Sequence, residues 1–164
     1  MIKIIDNVLN LYKTLYLYEN ILKHGKFSYG EKDHPKSEPV GMICDMEPYH
    51  YDKLKIDIFE HFSEVSNLKL QRAYVNLFRP YDNPYFHCDN LVDHEILTVL
   101  LYICPQYDID QGGETQFIVD NEIKGVFPKA GRAILFDGSI LHRATSFRNK
   151  PRITIALKYF KNSV

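Results

Sequence analysis

From residue 70 onward the chain is written as short runs of β-branched and aromatic residues cut by turn formers, and few folds accept that pattern. Runs at 70–79, 96–104, 115–119, 132–136 and 152–160 are rich in Val, Ile, Tyr and Phe, and weaker ones at 85–88, 123–127 and 140–145 bring the number to about eight. Eight short strands are what a jelly roll of two facing antiparallel sheets needs. Upstream the spacing turns helical. With Asn10 as N-cap, Leu11, Leu15, Tyr18 and Leu22 recur at three- and four-residue steps, and Leu54, Ile58, Phe59, Phe62 and Val65 form a second apolar stripe over 51–65. Ile2, Ile4 and Ile5 open the chain as a short strand that turns near Asp6 and Asn7. Residues 25–48 carry Gly25, Gly30, Pro35, Pro39, Gly41 and Pro48, too many breakers for regular structure, and read as one long irregular segment. The expected class is mainly β with supporting helices, α+β overall.

No repeat, low-complexity stretch or flexible linker divides the 164 residues, so a single domain over 1–164 is expected, with 1–69 as support and 70–160 as the β core. A chain of this size with 45% hydrophobic residues can build a core without disulfides or structural metal, so a bound metal would be functional. A formal net charge of −1 provides no global field for polyanions. Cys44, Cys88 and Cys104 are odd in number and lack CxxC spacing, which argues against a disulfide framework and a thiolate zinc site and suits a reducing cytoplasm. The opening MIKIIDNVLN has neither a signal-peptide core nor a membrane span. The abundance of Lys, Ile, Asn and Tyr suits an AT-rich genome, and the expected setting is a bacterial cell or a virus-infected host cell.

The chemistry gathers at three places. Residues two apart on a strand share a face, so His87 and Asp89 can reach one point while Cys88 turns away. His142, just after a strand and a turn, is the best third ligand. Two histidines and a carboxylate make the facial triad of non-haem iron(II), which leaves adjacent coordination positions open. Ten residues on, Arg152 and Thr154 share a face of the last strand; an inward arginine needs an anion, and a small dicarboxylate with one end on the metal supplies it. An HxD tripeptide alone is more often surface polarity than a metal clamp, and an arginine alone is as often a sheet-surface cation. Their order gives them weight.

The ordered set His87-x-Asp89, Gly112-Gly113-Glu114-Thr115, His142 and Arg152 resembles the iron(II)- and 2-oxoglutarate-dependent dioxygenases, in particular the prolyl 4-hydroxylase branch with its oxygen-sensing members, over about residues 70 to 160. The resemblance implies a double-stranded β-helix in which His87, Asp89 and His142 hold Fe(II). It also implies that 2-oxoglutarate chelates the metal at one end while Arg152, assisted by Thr154 and Tyr102, grips the far carboxylate. O2 is the oxidant and ascorbate an auxiliary reductant, and the products are succinate, CO2 and a hydroxylated substrate. Asp89 argues against the related halogenases, which have a small residue there. Family members commonly carry a tyrosine where this chain has Phe78, leaving Tyr74, Asn76, Tyr81 or Tyr85 as stand-ins.

The substrate that the resemblance implies is a peptide or protein, with proline foremost. A nucleic acid or small molecule is the rival, and a non-catalytic metal- or 2-oxoglutarate-binding sensor is the reading from another class. His24, His34, His50, His61 and His94 lack a matching carboxylate spacing and read as surface or satisfied polar groups. Gly112-Gly113 reads as a tight turn entering a strand. Arg143, Arg148, Lys150, Arg152, Lys158 and Lys161 form a basic cluster that could touch nucleic acid but more simply makes a solvated face.

Overall fold

The computed structural model describes residues 1–29, 32 and 37–161. Gly30, His34 and Pro35, which entered the reading of the irregular segment and of the spare histidines, lie outside the described residues. The elements in chain order are β1 (Ile2–Ile5), α1 (Leu11–His24), β2 (Met42–Asp45), α2 (Pro48–His61), β3 (Leu70–Phe78), β4 (Ile96–Tyr102), β5 (Thr115–Val119), β6 (Glu122–Val126), β7 (Ala133–Asp137), β8 (His142–Ala144) and β9 (Arg152–Phe160). Single 3-10 turns follow α2 at Ser63–Val65 and precede β5 at Ile109–Gln111.

Six strands form one antiparallel sheet in the order β1-β7-β4-β9-β3-β2, and three form a smaller one in the order β6-β5-β8. Apart from the β5–β6 hairpin, consecutive neighbours in space are separated in sequence, which is the mark of the double-stranded β-helix. Period-two alternation divides the large sheet between two jobs. Val75, Leu77, Val99, Leu101, Leu135, Ile153, Ile155 and Leu157 face the core built with Leu17, Leu54, Ile58 and Phe62 of the helical layer. Tyr74, Leu100, Tyr102, Phe136 and Ala156 face the small sheet, where Phe117 and Val126 meet them. The helices therefore cover one face and leave the other to the pocket.

Local chemistry explains the element ends. The Asn10 side chain accepts from the Lys13 amide at 2.9 Å, capping α1, and Lys23 and His24 lie in the last turn where a helix dipole favours basic groups. Asn7 takes φ 59° in the turn after β1, a conformation asparagine tolerates. α2 begins at Pro48 rather than near 51, because proline at the first helical position loses no hydrogen bond, and it stops at His61, the last part of the expected stripe being the 3-10 turn.

Two readings need correction. The breaker-rich segment 25–48 contains a strand: β2 pairs with β3 from Met42↔Leu77 to Asp45↔Tyr74, and Ser28 bridges to Ile43 on its outer edge. The expected strand at 85–88 is only a single bridge, His87↔His142, because Pro84 offers no amide and the amides of Asp89 and Asn90 turn to the Gly138 carbonyl. Residues 123–127 and 140–145 do become strands, as β6 and the short β8. Among the described residues no helix is long and apolar enough to cross a membrane.

Candidate metal centre and its pocket

The bridge between His87 and His142 is the device that brings ligands 55 positions apart together. Each amide donates to the other's carbonyl at 3.0 Å, holding the two imidazoles side by side with ring centroids 4.5 Å apart. The Nδ1 of His87 lies 3.1 Å from the Tyr85 carbonyl, and that of His142 lies 2.9 Å from the Ile140 carbonyl. A carbonyl only accepts, so Nδ1 carries the proton in both rings and each Nε2 keeps its lone pair for the site. Phe117 and Phe136 pack against the His142 ring and fix its plane.

Asp89 completes the group. Its carboxylate is 3.8 Å from His87 Nε2 and 3.7 Å from His142 Nε2, and the three ligand atoms lie within 4.8 Å of one another, the one such cluster among the described residues. The Asp89 amide donates to the Gly138 carbonyl at 2.7 Å, and a Cβ on Gly138 would come within 3.1 Å of the Asp89 Cβ. Glycine there lets the two chains close. The Thr98 hydroxyl donates to Asp89 Oδ2 at 2.5 Å, and Lys158 Nζ lies 2.8 Å from Oδ1. Thr98 and Lys158 are register partners on β4 and β9, so one cross-strand pair serves both oxygens.

These contacts set the protonation states. Burial by itself would raise the Asp89 carboxyl, but the Lys158 ammonium and the Thr98 hydrogen bond outweigh it and hold the group below the usual carboxylate range. Burial pushes His142 down against the pull of Asp89, which keeps the imidazole neutral. An ionised carboxylate with two imidazole nitrogens beside it is the donor set that suits a divalent transition metal.

Behind this group lies a cavity of about 250 Å³, lined by Tyr74, Asn76, Phe78, Thr98, Thr154, Ala156 and both cationic residues of β9. Arg152 is only 1% exposed. Its Nε donates to the Gly113 carbonyl at 2.7 Å and a terminal nitrogen to Thr115 Oγ1 at 2.8 Å, and among the described residues no carboxylate pairs with it. The Gly113 end of that grip depends on the turn expected at Gly112-Gly113: Gly113 has φ 81°, and a Cβ there would lie 2.3 Å from the Phe147 ring. Thr154 Oγ1 is buried with no hydrogen-bond partner. A cation without an anion and a hydroxyl without a partner, both lining one cavity, fit a small dianion. A larger cavity of about 540 Å³, between α1 and β2, has none of these groups.

The other sequence-derived residues fall as follows. Tyr102 is buried, and its hydroxyl donates to the Val126 carbonyl at 3.1 Å and meets Thr115 Oγ1 at 2.6 Å, so it reaches Arg152 through Thr115 and from 5.4 Å under the guanidinium. Of the four stand-ins for the missing tyrosine, Tyr74 and Asn76 line the cavity, whereas Tyr81 is 90% exposed and Tyr85 is exposed too. The basic cluster does not form one face. Arg152 and Lys158 point into the cavity, Lys161 pairs with Asp137 and Glu95, and Arg143 lies over the Phe86 ring. His61 is tied to the Asp57 carbonyl and His94 stacks edge-on to Phe160. Thr98 and Lys158 were not singled out for the site from sequence, although Lys158 shares the parity of Arg152 and Thr154 on β9.

The comparison with curated proteins finds no match. Solved structures match over nearly the whole chain: a Pseudomonas putida prolyl-4-hydroxylase (TM-score 0.76, 14% identity, 99% of this chain and 93% of that one) and a Trichoplax adhaerens prolyl hydroxylase in complex with a hypoxia inducible factor peptide (0.77, 21%, 98% and 83%). The viral collagen prolyl hydroxylase of Paramecium Bursaria Chlorella virus-1, in its 2-oxoglutarate complex, follows at 0.69, 18% identity, 96% and 94% coverage. At these identities the likeness establishes the double-stranded β-helix. The family assignment comes from the sequence itself, since the model of the 2OG-Fe(II) oxygenase superfamily matches residues 77–160, just over half of the chain and every residue of the triad. The chain belongs to the 2OG-Fe(II) oxygenase superfamily.

Proposed function

We propose that the protein is an Fe(II)- and 2-oxoglutarate-dependent dioxygenase that hydroxylates a residue of a peptide or protein, proline being the foremost candidate. The single observation that carries the reading is the pairing of a His87–Asp89–His142 cluster with an unneutralised buried Arg152 in one cavity. Bound Fe(II), with 2-oxoglutarate and O2, supplies the oxidising power for C–H hydroxylation. The chain supplies position. His87 and His142 present Nε2 because their Nδ1 protons are held by carbonyls, and Asp89 is kept ionised and aimed by Thr98 and Gly138. Arg152 and Thr154 receive the far carboxylate of the co-substrate, with Tyr102 and Thr115 fixing the guanidinium from behind. The apolar walls from Phe78, Leu100 and Phe136 keep bulk water away from that pairing.

The proline preference rests on the Gly112-Gly113-Glu114-Thr115 segment and on the fold shared with prolyl hydroxylases. The test is turnover: with Fe(II), ascorbate and O2 the protein should release succinate from 2-oxoglutarate, and proline-containing peptides should gain one oxygen by mass spectrometry. An Asp89→Ala variant that released succinate as fast as the wild type would refute the assignment of the metal site. A product found on nucleic acid or on a free small molecule would refute the peptide reading alone.

A further inference from the structure

We infer that Lys158 is the anion-binding residue of the substrate subsite, and that the substrate carries a carboxylate close to the carbon that is oxidised. The inference rests on the proposed function, because it takes the cavity to hold the metal and 2-oxoglutarate.

Charge is the first argument. Among the described residues that line the cavity, Lys32, Arg152 and Lys158 are cationic and Asp89 is the one carboxylate. Fe(II) and 2-oxoglutarate bring two charges of each sign and leave that positive excess unchanged. Among the described residues, a third ligand entering the cavity therefore meets a positive excess carried by Arg152 and Lys158 over Asp89, which favours an anion.

Competition for Asp89 is the second. Lys158 Nζ lies 2.8 Å from Asp89 Oδ1, its side chain is only 19% exposed, and the Tyr74 ring lies 5.3 Å from the ammonium. Asp89 is also the carboxylate of the triad. Once a dication takes that group, the ammonium keeps its Tyr74 partner, a repelled neighbour and a shared counter-ion. A largely buried cation in that position is stabilised by a new anion. Arg152 is committed to the deep end by Gly113 and Thr115, so it does not compete for the newcomer.

Placement is the third argument. Along β9 the cavity-facing residues are Arg152, Thr154, Ala156 and Lys158. The two cations stand at opposite ends of that row, three strand repeats apart, which is roughly 20 Å of chain. One end suits the co-substrate and the other suits something else. Ala156, between them, withholds bulk and leaves room beside the triad.

The test uses protein loaded with Mn(II) and 2-oxoglutarate under argon, so that binding is read without turnover. Two proline-centred peptide libraries are titrated calorimetrically: one has Asp or Glu next to the proline, and its twin has Asn or Gln at the same positions. N-acetylglutamate and glutarate are added as free-acid competitors. The expected result is binding of the acidic library about tenfold or more tighter than its amide twin. Lys158→Met should abolish the difference and Lys158→Arg should retain it, each variant being titrated at Mn(II) and 2-oxoglutarate concentrations shown to saturate it. If the free acids displace the peptides at equal concentration, the carboxylate subsite stands and its source is a small acid. Equal binding of the two libraries, a preference that survives in Lys158→Met, or binding of neither library would overturn the inference. Failure of 2-oxoglutarate itself to bind would instead overturn the proposed function.

Discussion

Replacing Arg152 with methionine separates folding from ligand binding. In the free protein the guanidinium is buried, makes two hydrogen bonds at 2.7 and 2.8 Å, and lacks a carboxylate partner among the described residues. Losing two charge-assisted hydrogen bonds costs about 3–6 kcal/mol in total. Removing an uncompensated buried ion recovers several kcal/mol of desolvation, and methionine fills much of the volume. The two effects oppose each other at similar size, so the stability of the unliganded protein should change by less than about 2 kcal/mol. Ligand binding has no such offset. A desolvated cation that receives a carboxylate contributes about 2–5 kcal/mol, so the Kd for 2-oxoglutarate should rise by a factor of roughly 30 to several thousand. Urea denaturation measures the first quantity and calorimetry on the Mn(II)-loaded protein the second. Arg152→Lys should fall between, keeping the charge but losing the planar fork. A Kd within threefold of wild type in Arg152→Met, with the protein folded, would refute the assignment of Arg152 to the co-substrate.

Thr98→Val removes the 2.5 Å donor to Asp89 and should weaken Mn(II) binding by about 10- to 100-fold in a metal titration while leaving the circular dichroism spectrum unchanged. Gly113→Ala forces a side chain onto a φ of 81° and into the Phe147 ring, so it should lower stability by about 2 kcal/mol or more in urea and weaken 2-oxoglutarate binding through the displaced carbonyl. For Asp137, burial raises the carboxyl but Lys161 and Ser139 overcome it and lower it to about 2 from an ordinary 3.8. A depressed acid stabilises the fold fully above its unfolded value and loses that contribution as pH falls, so about 2 kcal/mol should disappear between pH 4 and 2, and Asp137→Asn should flatten that part of the stability profile.

The site was legible where its geometry is local. The two-residue spacing suggests a shared side for His87 and Asp89, which hold it although their segment is only a bridge, and the strand period puts Arg152 beside Thr154; neither inference needs to know what lies across the sheet. His142 was legible only as a candidate, since its meeting with His87 depends on a bridge between distant segments. Thr98 and Lys158 depend on register. Nothing within either strand says that 98 faces 158, yet that pairing is what serves both oxygens of Asp89. Tyr102 shows the complementary limit: its burial follows from the run around it, but the direction of its hydroxyl is decided by the Val126 carbonyl across the two sheets. In the fold, β2 was hidden because an edge strand of four residues amid glycines and prolines has too little pattern to outweigh its flanks. The bridge at His87 was overestimated for the opposite reason, since an apolar, aromatic run after Pro84 resembles a strand whether or not a neighbour completes its ladder.

The strict alternation of β9 has a consequence for how such an enzyme changes its chemistry. Ile153, Ile155, Leu157 and Tyr159 anchor the strand to the helical layer, whereas 152, 154, 156 and 158 carry what this strand shows to a ligand. Selectivity can therefore be rewritten at the even-numbered positions as if on one side of a ribbon, with the scaffold untouched. The same economy makes the strand intolerant of slippage: a single residue inserted before Arg152 would swap the two inventories at once, exiling the recognition groups into grease and turning the grease toward the ligand.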